Sequence, residues 1–506
     1  MPKAERVIND YLTAIGGKKR VAKIKDTVYE WKLTSASREN SSVYTRARTR
    51  VKSPAGWRFD MQISENTDSG TNLDAGAITT ATNGSSVWKR DAAGKLQTLT
   101  DAEANSIRLQ AMLAATHFTN LQNQRISIQT VGTEKIENEL VNVVEFSMRN
   151  GARARYFFGV NNKLLLKIEN PVLKTSTCFA DYRNTGGVLV PHKLIEACNE
   201  TAQASQFFEL ERAAHNTNLN LIAFDPPRSL ENFDLQAFLK DLTRNQAEID
   251  RRLSEYTYLE TKTEREYNDK GEIEKETVRV YEVYPVARNR RVSKLIRENG
   301  TALSPERAQK EANRAVKEIQ DIESEIEKRQ AKAAERQAQT AGKTKTEAES
   351  PERGTGISFF LRASEVVAPR MEEFRGRETI VFDFRPREDY KPQNSQEKIF
   401  AKLVGTAWID PEEKKIIRME MRFPESFKAF GGMAKLKSGS AFVFEQTRLE
   451  DGVWLPKFSQ VNAGVKAFFV AGFNFNVTSE YSDYKRSGSE IKDYKVNSPN
   501  QREEKP

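Results

Sequence analysis

At 506 residues the chain is too long for one ordinary hydrophobic core, and two domains are expected. Eighty basic residues stand among 71 acidic ones for a net charge of +9, and glutamates interleave most basic runs, so the charge reads as a solvated mixed surface and not as a nucleic-acid footprint. No apolar run reaches the ~18 residues of a membrane-spanning helix, and Met1-Pro-Lys-Ala-Glu-Arg lacks the apolar core of a secretory signal, which leaves a cytoplasmic protein or one whose signal has been removed.

Ala4 to Ile15 reads as an amphipathic helix with Val7, Ile8, Tyr11, Leu12 and Ile15 on one side, ended by Gly16-Gly17. Strands follow at 27–33, 43–51 and 57–63, and Asn83-Gly84 marks a tight turn. Thr100-Asp-Ala-Glu103 has capping-box spacing ahead of a helix through Ile107, Leu109, Met112 and Leu113. Residues 125–220 are nearly all strand and turn, an antiparallel meander closed by Asp225-Pro226-Pro227. Cys178 and Cys198 flank a hairpin turn at Asn184-Thr-Gly-Gly187. A symmetric hairpin sets Cys178 opposite His192 or Lys193, so two buried free thiols compete with a cross-strand disulfide.

A second helix-first unit starts at Phe233, with Leu235, Phe238, Leu239 and Leu242 as its stripe. Two strands face each other across Asn268-Asp-Lys-Gly271, and Ser304-Pro-Glu opens a long charged helix whose thin seam is Ala308, Val316, Ile319, Ile322 and Ile326. Residues 340–356 lack apolar content and read as a flexible loop. Strand text then runs from 357 to 484. Within it, Asp410-Pro411-Glu412 forms a turn, after which Ile417, Met419, Met421 and Phe423 share one face while Arg418, Glu420 and Arg422 point to solvent.

The same strand–turn–strand device occurs at Tyr156 to Glu169, and further matches keep their order. Val143-Val-Glu-Phe146 corresponds to Ile380-Val-Phe-Asp-Phe384, the Val160-Asn-Asn turn to Ile409-Asp-Pro, and Lys167-Ile-Glu169 to Arg418-Met-Glu420. Gly187-Val-Leu-Val-Pro191 corresponds to Gly452-Val-Trp-Leu-Pro456. The chain is therefore expected to hold two copies of one architecture, 1–227 and 228–488. The second carries the charged helix at 304–338 and a flexible loop at 339–356, and a disordered tail follows at 489–506.

His117, His192 and His215 have no metal-ligand spacing, no Gly-rich loop has phosphate-binding context, and Gly84-Ser85-Ser86 is no nucleophile elbow. No enzyme, cofactor or metal is expected. The apolar inventory, with 27 phenylalanines, is more informative. Trp57, Met112, Trp408, Met419, Met421, Phe423, Phe442, Phe444, Phe473 and Phe475 are either sheet core packed on helices or the wall of an apolar cavity. Phe427, Phe430, Met433 and Leu436 stand at near-helical spacing among Lys428, Lys435 and Lys437, either a lid that meets lipid or a packed connection.

Tyr11-Leu-Thr-Ala-Ile-Gly-Gly17, Trp57-Arg-Phe-Asp60, Asn83-Gly84 with Trp88, the mid-domain helix and the late meander together resemble the periplasmic lipoprotein-sorting carriers, the LolA/LolB-like superfamily. The likeness spans about residues 3–224, with a more divergent copy at 230–486. It implies an α+β fold in which each half is a curved antiparallel sheet, a half-barrel, covered by helices. It implies further a non-enzymatic binder of lipid or lipidated protein in the periplasm or at the outer membrane, with transient membrane contact and no nucleic acid. The alternative is an interaction or envelope-sensor module of the same fold with filled cores and an envelope protein partner.

Overall fold

The computed structural model describes residues 1–36, 44–63, 77–119, 121–196, 205–230, 233–268, 273–287, 290–340, 363–392, 395–429, 434–467 and 470–486. The chain begins with α1 (Ala4–Ala14) and α2 (Lys18–Val21). Strands β1 to β6 follow (Asp26–Ala36, Tyr44–Lys52, Gly56–Ile63, Ile78–Thr82, Val87–Arg90, Leu96–Thr98), then α3 (Asp101–Thr116). Strands β7 to β13 complete the half (Ser127–Ile136, Glu139–Ser147, Arg153–Gly159, Leu165–Asn170, Thr175–Thr185, Val188–Glu196, Ser205–His215). They form one sheet in the order β6-β5-β4-β3-β2-β1-β13-β12-β11-β10-β9-β8-β7. The chain meanders to one edge, crosses by α3 to the other, and returns until β13 pairs with β1.

The second half repeats this plan. After α4 (Leu235–Arg252), β14 to β17 run outward (Tyr256–Tyr267, Ile273–Ala287, Arg290–Glu298, Thr301–Ala302), and α5 (Pro305–Thr340) crosses over. The return path comprises β18 (Ser364–Phe374), β19 (Arg377–Pro386), α6 (Ser395–Phe400), β20 (Val404–Ile409), β21 (Ile416–Arg422), the small hairpin β22 (Phe427–Ala429) and β23 (Ala434–Leu436), β24 (Ala441–Arg448), β25 (Trp454–Ala467) and β26 (Val470–Arg486). Its order is β17-β16-β15-β14-β26-β25-β24-β21-β20-β19-β18, so again the last strand pairs with the first. The matched sequence segments fall on equivalent strands: β8 with β19, the turn after β9 with the turn after β20, β10 with β21, and the β11–β12 hairpin with β24–β25. The fold is α+β, two antiparallel sheets with helices on them.

Each sheet buries one face under a helix. In the first half α1 and α3 lay Val7, Leu12, Leu109 and Leu113 against Val144, Phe146, Tyr156 and Phe158. The Gly16-Gly17 stop has two physical reasons. The Gly17 N–H reaches back to the Leu12 carbonyl at 2.8 Å, and a Cβ on Gly16 (φ +129°) would come 2.6 Å from the Gly187 carbonyl oxygen. In the second half Phe238 and Leu242 of α4 cover Phe382, Phe384, Ala407, Ile409 and Met419. The seam of α5 packs Ala315, Ile319, Ile322 and Ile326 on Val286 and Val292, while Val316 stays 36% exposed.

Several local expectations need correction. The capping box does not form: Thr100 makes no side-chain cap and donates to Asp101 instead, while Glu103 turns outward to pair with Lys89. Phe427–Ala429 and Ala434–Leu436 are paired strands, with Phe427 opposite Leu436, in place of the near-helical spacing, and Phe430 and Met433 lie outside the described residues. In β21 a register irregularity beside Trp408 and Ile409 makes Ile417 an extra residue, so Ile416 joins the α4 side and Ile417 packs with Trp408 on the other. The β11–β12 turn is the pair Gly186-Gly187, both at positive φ, which moves Cys178 opposite Ile195. Cys178 is disulfide-bonded, not free; the chain's other cysteine, Cys198, lies outside the described residues. The Asn268–Gly271 turn, the 340–356 loop and the tail beyond 488 fall largely or wholly outside them too.

His117 ends α3 in the left-handed conformation (φ +47°), and burial pushes its imidazole down to about 4. A base whose folded pKa is depressed leaves the folded state with fewer protons than the unfolded one. The associated stability is therefore whole above about pH 6.5 and is lost as pH falls toward 4. Between pH 7 and 4.5, urea melts of the wild type should lose about 1–2 kcal/mol more than melts of His117→Gln, less than the full shift because the ring is only half-buried. Equal losses would show that the ring does not carry this dependence.

Candidate functional site: a buried ionic interface and the cavity beside it

The face of the second sheet opposite α4 carries the charges that the alternation of β21 assigned to solvent. That assignment is overturned: Arg418, Glu420 and Glu445 are buried, as are Arg370, Glu372 and Asp383, because the first half covers them. Cross-strand pairing sets Arg370, Val381, Trp408, Arg418, Glu445, Phe458, Glu480 and Thr261 in one continuous row across seven neighbouring contacts of the sheet.

At one end of this row the Arg370 guanidinium is fully buried. Its Nε donates to Glu372 Oε1 at 2.6 Å, and its Nη2 donates to Thr98 Oγ1 at 2.6 Å and to Asp383 Oδ1 at 3.2 Å. The first half satisfies the remaining acceptors. The Thr98 N–H and hydroxyl donate to Glu372 at 2.5 and 2.7 Å, and Ser86 Oγ donates to Asp383 at 2.6 Å. The Asn83-Gly84 turn adds another tie. Asn83 Oδ1 accepts the Ser85 and Ser86 N–H groups, which aims Nδ2 at both Asp383 and Asp225, each at 2.8 Å. Burial raises the Asp225 carboxyl above its ordinary value, only partly offset by Asn83 and Arg385.

Farther along, Arg418 bridges the halves. It donates to Asp101 of α3 at 2.7 Å, to Glu420 at 2.7 Å and to Glu445. Burial works against the charged form of both partners, yet the ion pair holds the Asp101 carboxyl below its usual range and the Arg418 guanidinium above its own. Arg422, which donates to the Ser85 carbonyl at 2.9 Å, is pushed down to about 9 by burial and by the neighbouring Arg108. Arg375 adds a two-pronged pair to Glu445 at 2.9 and 3.0 Å.

Where the first half ends, the row emerges into a cavity of about 610 Å³. Its lining includes Asp101, Arg375, Arg418, Glu445, Phe458, Lys457 and Glu480. This is a mixed-charge cavity, lined in part by the row's own side chains.

Of the residues singled out in the sequence, Met419 and Phe423 lie in the α4-covered core, with Met421, Phe427, Phe442 and Phe444 packed against it. The Phe423 ring is 4.8 Å from Phe427 and 6.0 Å from Phe442. Trp408 stands on the opposite face, 5.5 Å from Phe374. Trp57 packs under α3 in the first half beside Val87 and Ile107, and Met112 packs on the first core, so neither joins the others. Phe475 is partly buried in β26; Phe430 and the Phe473 side chain lie outside the described residues. Sequence reasoning missed the ionic row. Its signal was the spacing Arg370-Met-Glu372 and Arg418-Met-Glu420, opposite charges two apart on strands with apolar partners between them. Among the described residues no helix is long and apolar enough to cross a membrane, and no group of three or more His, Cys, Asp or Glu could hold a metal ion.

The sequence matches no family model and no curated protein sequence. Solved structures do resemble it. A LolA superfamily protein from Nitrosomonas europaea is 13% identical and covers 45% of this chain and 99% of its own, with a TM-score of 0.32. A domain named for outer membrane lipoprotein sorting, from Vibrio parahaemolyticus, is 13% identical over 44% of this chain and 97% of its own, with a TM-score of 0.30. A chain of the MucA/MucB complex structure of Pseudomonas aeruginosa is 7% identical and covers 94% of this chain and 94% of its own, with a TM-score of 0.18. The chain is similar to structures of the LolA and lipoprotein-sorting kind, and the first two span rather less than half of it.

Proposed function

We propose that this is a non-enzymatic binding protein of the cell envelope whose two halves, fixed to each other by the ionic interface, engage a protein partner instead of storing lipid. The observation that carries this reading is the occupation of both apolar faces by the chain's own side chains. In the first half the Phe118 ring lies 5.4–6.1 Å from those of Tyr11, Phe146, Tyr156 and Phe158. In the second, Phe238 and Leu242 fill the corresponding space. A carrier of acyl chains needs an empty apolar cavity of several hundred Å³, whereas the 610 Å³ cavity at the junction sets six charged side chains beside Phe458 and Tyr481. The disulfide at Cys178 is consistent with an oxidising compartment such as the periplasm.

Carriage of lipid or of lipidated protein is the second reading. It is favoured by the incomplete burial of Met421, Phe427, Phe442 and Phe444, which rim the second core beside the β22–β23 hairpin. Native mass spectrometry of protein purified from a membrane-containing host, followed by titration with a fluorescent fatty acyl probe, separates the two. The expected result is a lipid-free protein without saturable uptake. Co-purified lipid, together with uptake that Phe444→Asp lowers and an exposed Lys428→Asp control does not, would replace partner binding with carriage.

A further inference from the structure

We infer that the junction cavity is a binding site for a small zwitterionic ligand, one bearing both a carboxylate and an ammonium group, such as a short unblocked peptide. The row of side chains that floors it changes character along its length. From Arg370 to Glu445 its charged members are covered by the first half and paired. From Phe458 onward the cover ends and the floor opens into about 610 Å³, within the range of small-ligand sites, roughly 300–1,000 Å³.

Two charges on this open stretch, Lys457 and Glu480, have no ion-pair partner among the described residues, whereas Arg375, Arg418, Glu445 and Asp101 on the inner wall are mutually paired. The inner wall is thus charge-balanced. What remains for a ligand is one cation, one anion, and the Phe458 ring, next to Lys457 on β25 and opposite Glu480 on β26. Lys457 offers three donors to a carboxylate, Glu480 accepts from an ammonium, and the ring gives a short apolar body a surface to rest on. A lone anion would meet Glu480 as well as Lys457, and an acyl chain would desolvate both without a partner. This inference stands apart from whether the helix-filled interiors take up lipid.

The test is isothermal titration calorimetry on the whole chain with trialanine bearing free termini, and with its N-acetylated, C-amidated and doubly blocked forms. The expected result is saturable binding of the unblocked peptide, weakened at least tenfold by blocking either end. Glu480→Gln should abolish the difference made by acetylation alone, and Lys457→Met the difference made by amidation alone. Both residues are exposed, so the fold should be retained, as far-ultraviolet circular dichroism would verify. Absence of saturable binding, binding that survives blocking both ends, or discrimination unchanged in both variants would overturn the assignment. So would binding that depends on the carboxylate alone, which would mark a simple anion site.

Discussion

Arg370→Met should destabilise the folded chain by about 3–5 kcal/mol, the usual consequence of removing one partner from a buried ion cluster. The side chains of Glu372 and Asp383 are 1% and 2% exposed. Methionine fills much of the arginine's volume, so the loss comes from leaving two carboxylates without their shared cation and not from an empty space. Because Thr98 and Ser86 of the first half donate to those same carboxylates, the damage should reach the junction as well as the second sheet. Urea denaturation followed by tryptophan fluorescence should show one transition in the wild type and an early, separate transition in the variant. Arg387→Met is the control. Its partner Asp389 is 72% exposed, and an exposed pair of that kind contributes little. A loss at Arg370 as small as at Arg387 would mean that the interface is held by packing alone.

The contrast between these two arginines explains where sequence reasoning succeeded and where it stopped. Periodicity reports which side chains share a face, and it located strand text through both halves and the order of the duplicated segments. It carries no information about what lies against a face. Arg418 and Glu420 alternate with Met419 and Met421 as a solvated strand would, yet the first half of the chain covers them. Nothing local distinguishes a wet charged face from one buried under a distant domain, because the covering residues, Thr98, Asp101 and Ser86, lie some 300 positions earlier. The same limit appears at Ile417, where one extra residue in the ladder exchanges the faces of its neighbours. The glycines were more readable, since Gly16-Gly17 and Gly186-Gly187 occupy positive φ, where other residues are strained.

The fixed junction also bears on function. An interface with buried, mutually satisfied charges is directional, so it sets the relative orientation of the halves more narrowly than apolar contact would. Phe458 and Glu480 therefore stand at a defined position relative to Asp101 and Arg418, which suits a cavity that recognises separated charges.

Breaking the Cys178 disulfide should cost about 3 kcal/mol, the chain-entropy value for a closed loop of about twenty residues. Cys178 stands near the open end of the β11–β12 hairpin, one residue from Thr177, which pairs with Glu196, the last residue of β12. Its turn end is already fixed by Gly186-Gly187 and by packing against Gly16. The stabilisation should come chiefly from restricting the unfolded chain, since the hairpin keeps its ladder hydrogen bonds when reduced. The Cys178→Ser, Cys198→Ser variant should accordingly show a lowered urea midpoint with nearly unchanged circular dichroism, and the wild type in dithiothreitol should coincide with it. A variant as stable as the oxidised wild type would indicate that the hairpin is held without the bond. If the variant and the reduced protein diverge, the substitutions themselves have disturbed packing around Phe179 and Ile195, and the difference between the two curves measures that disturbance.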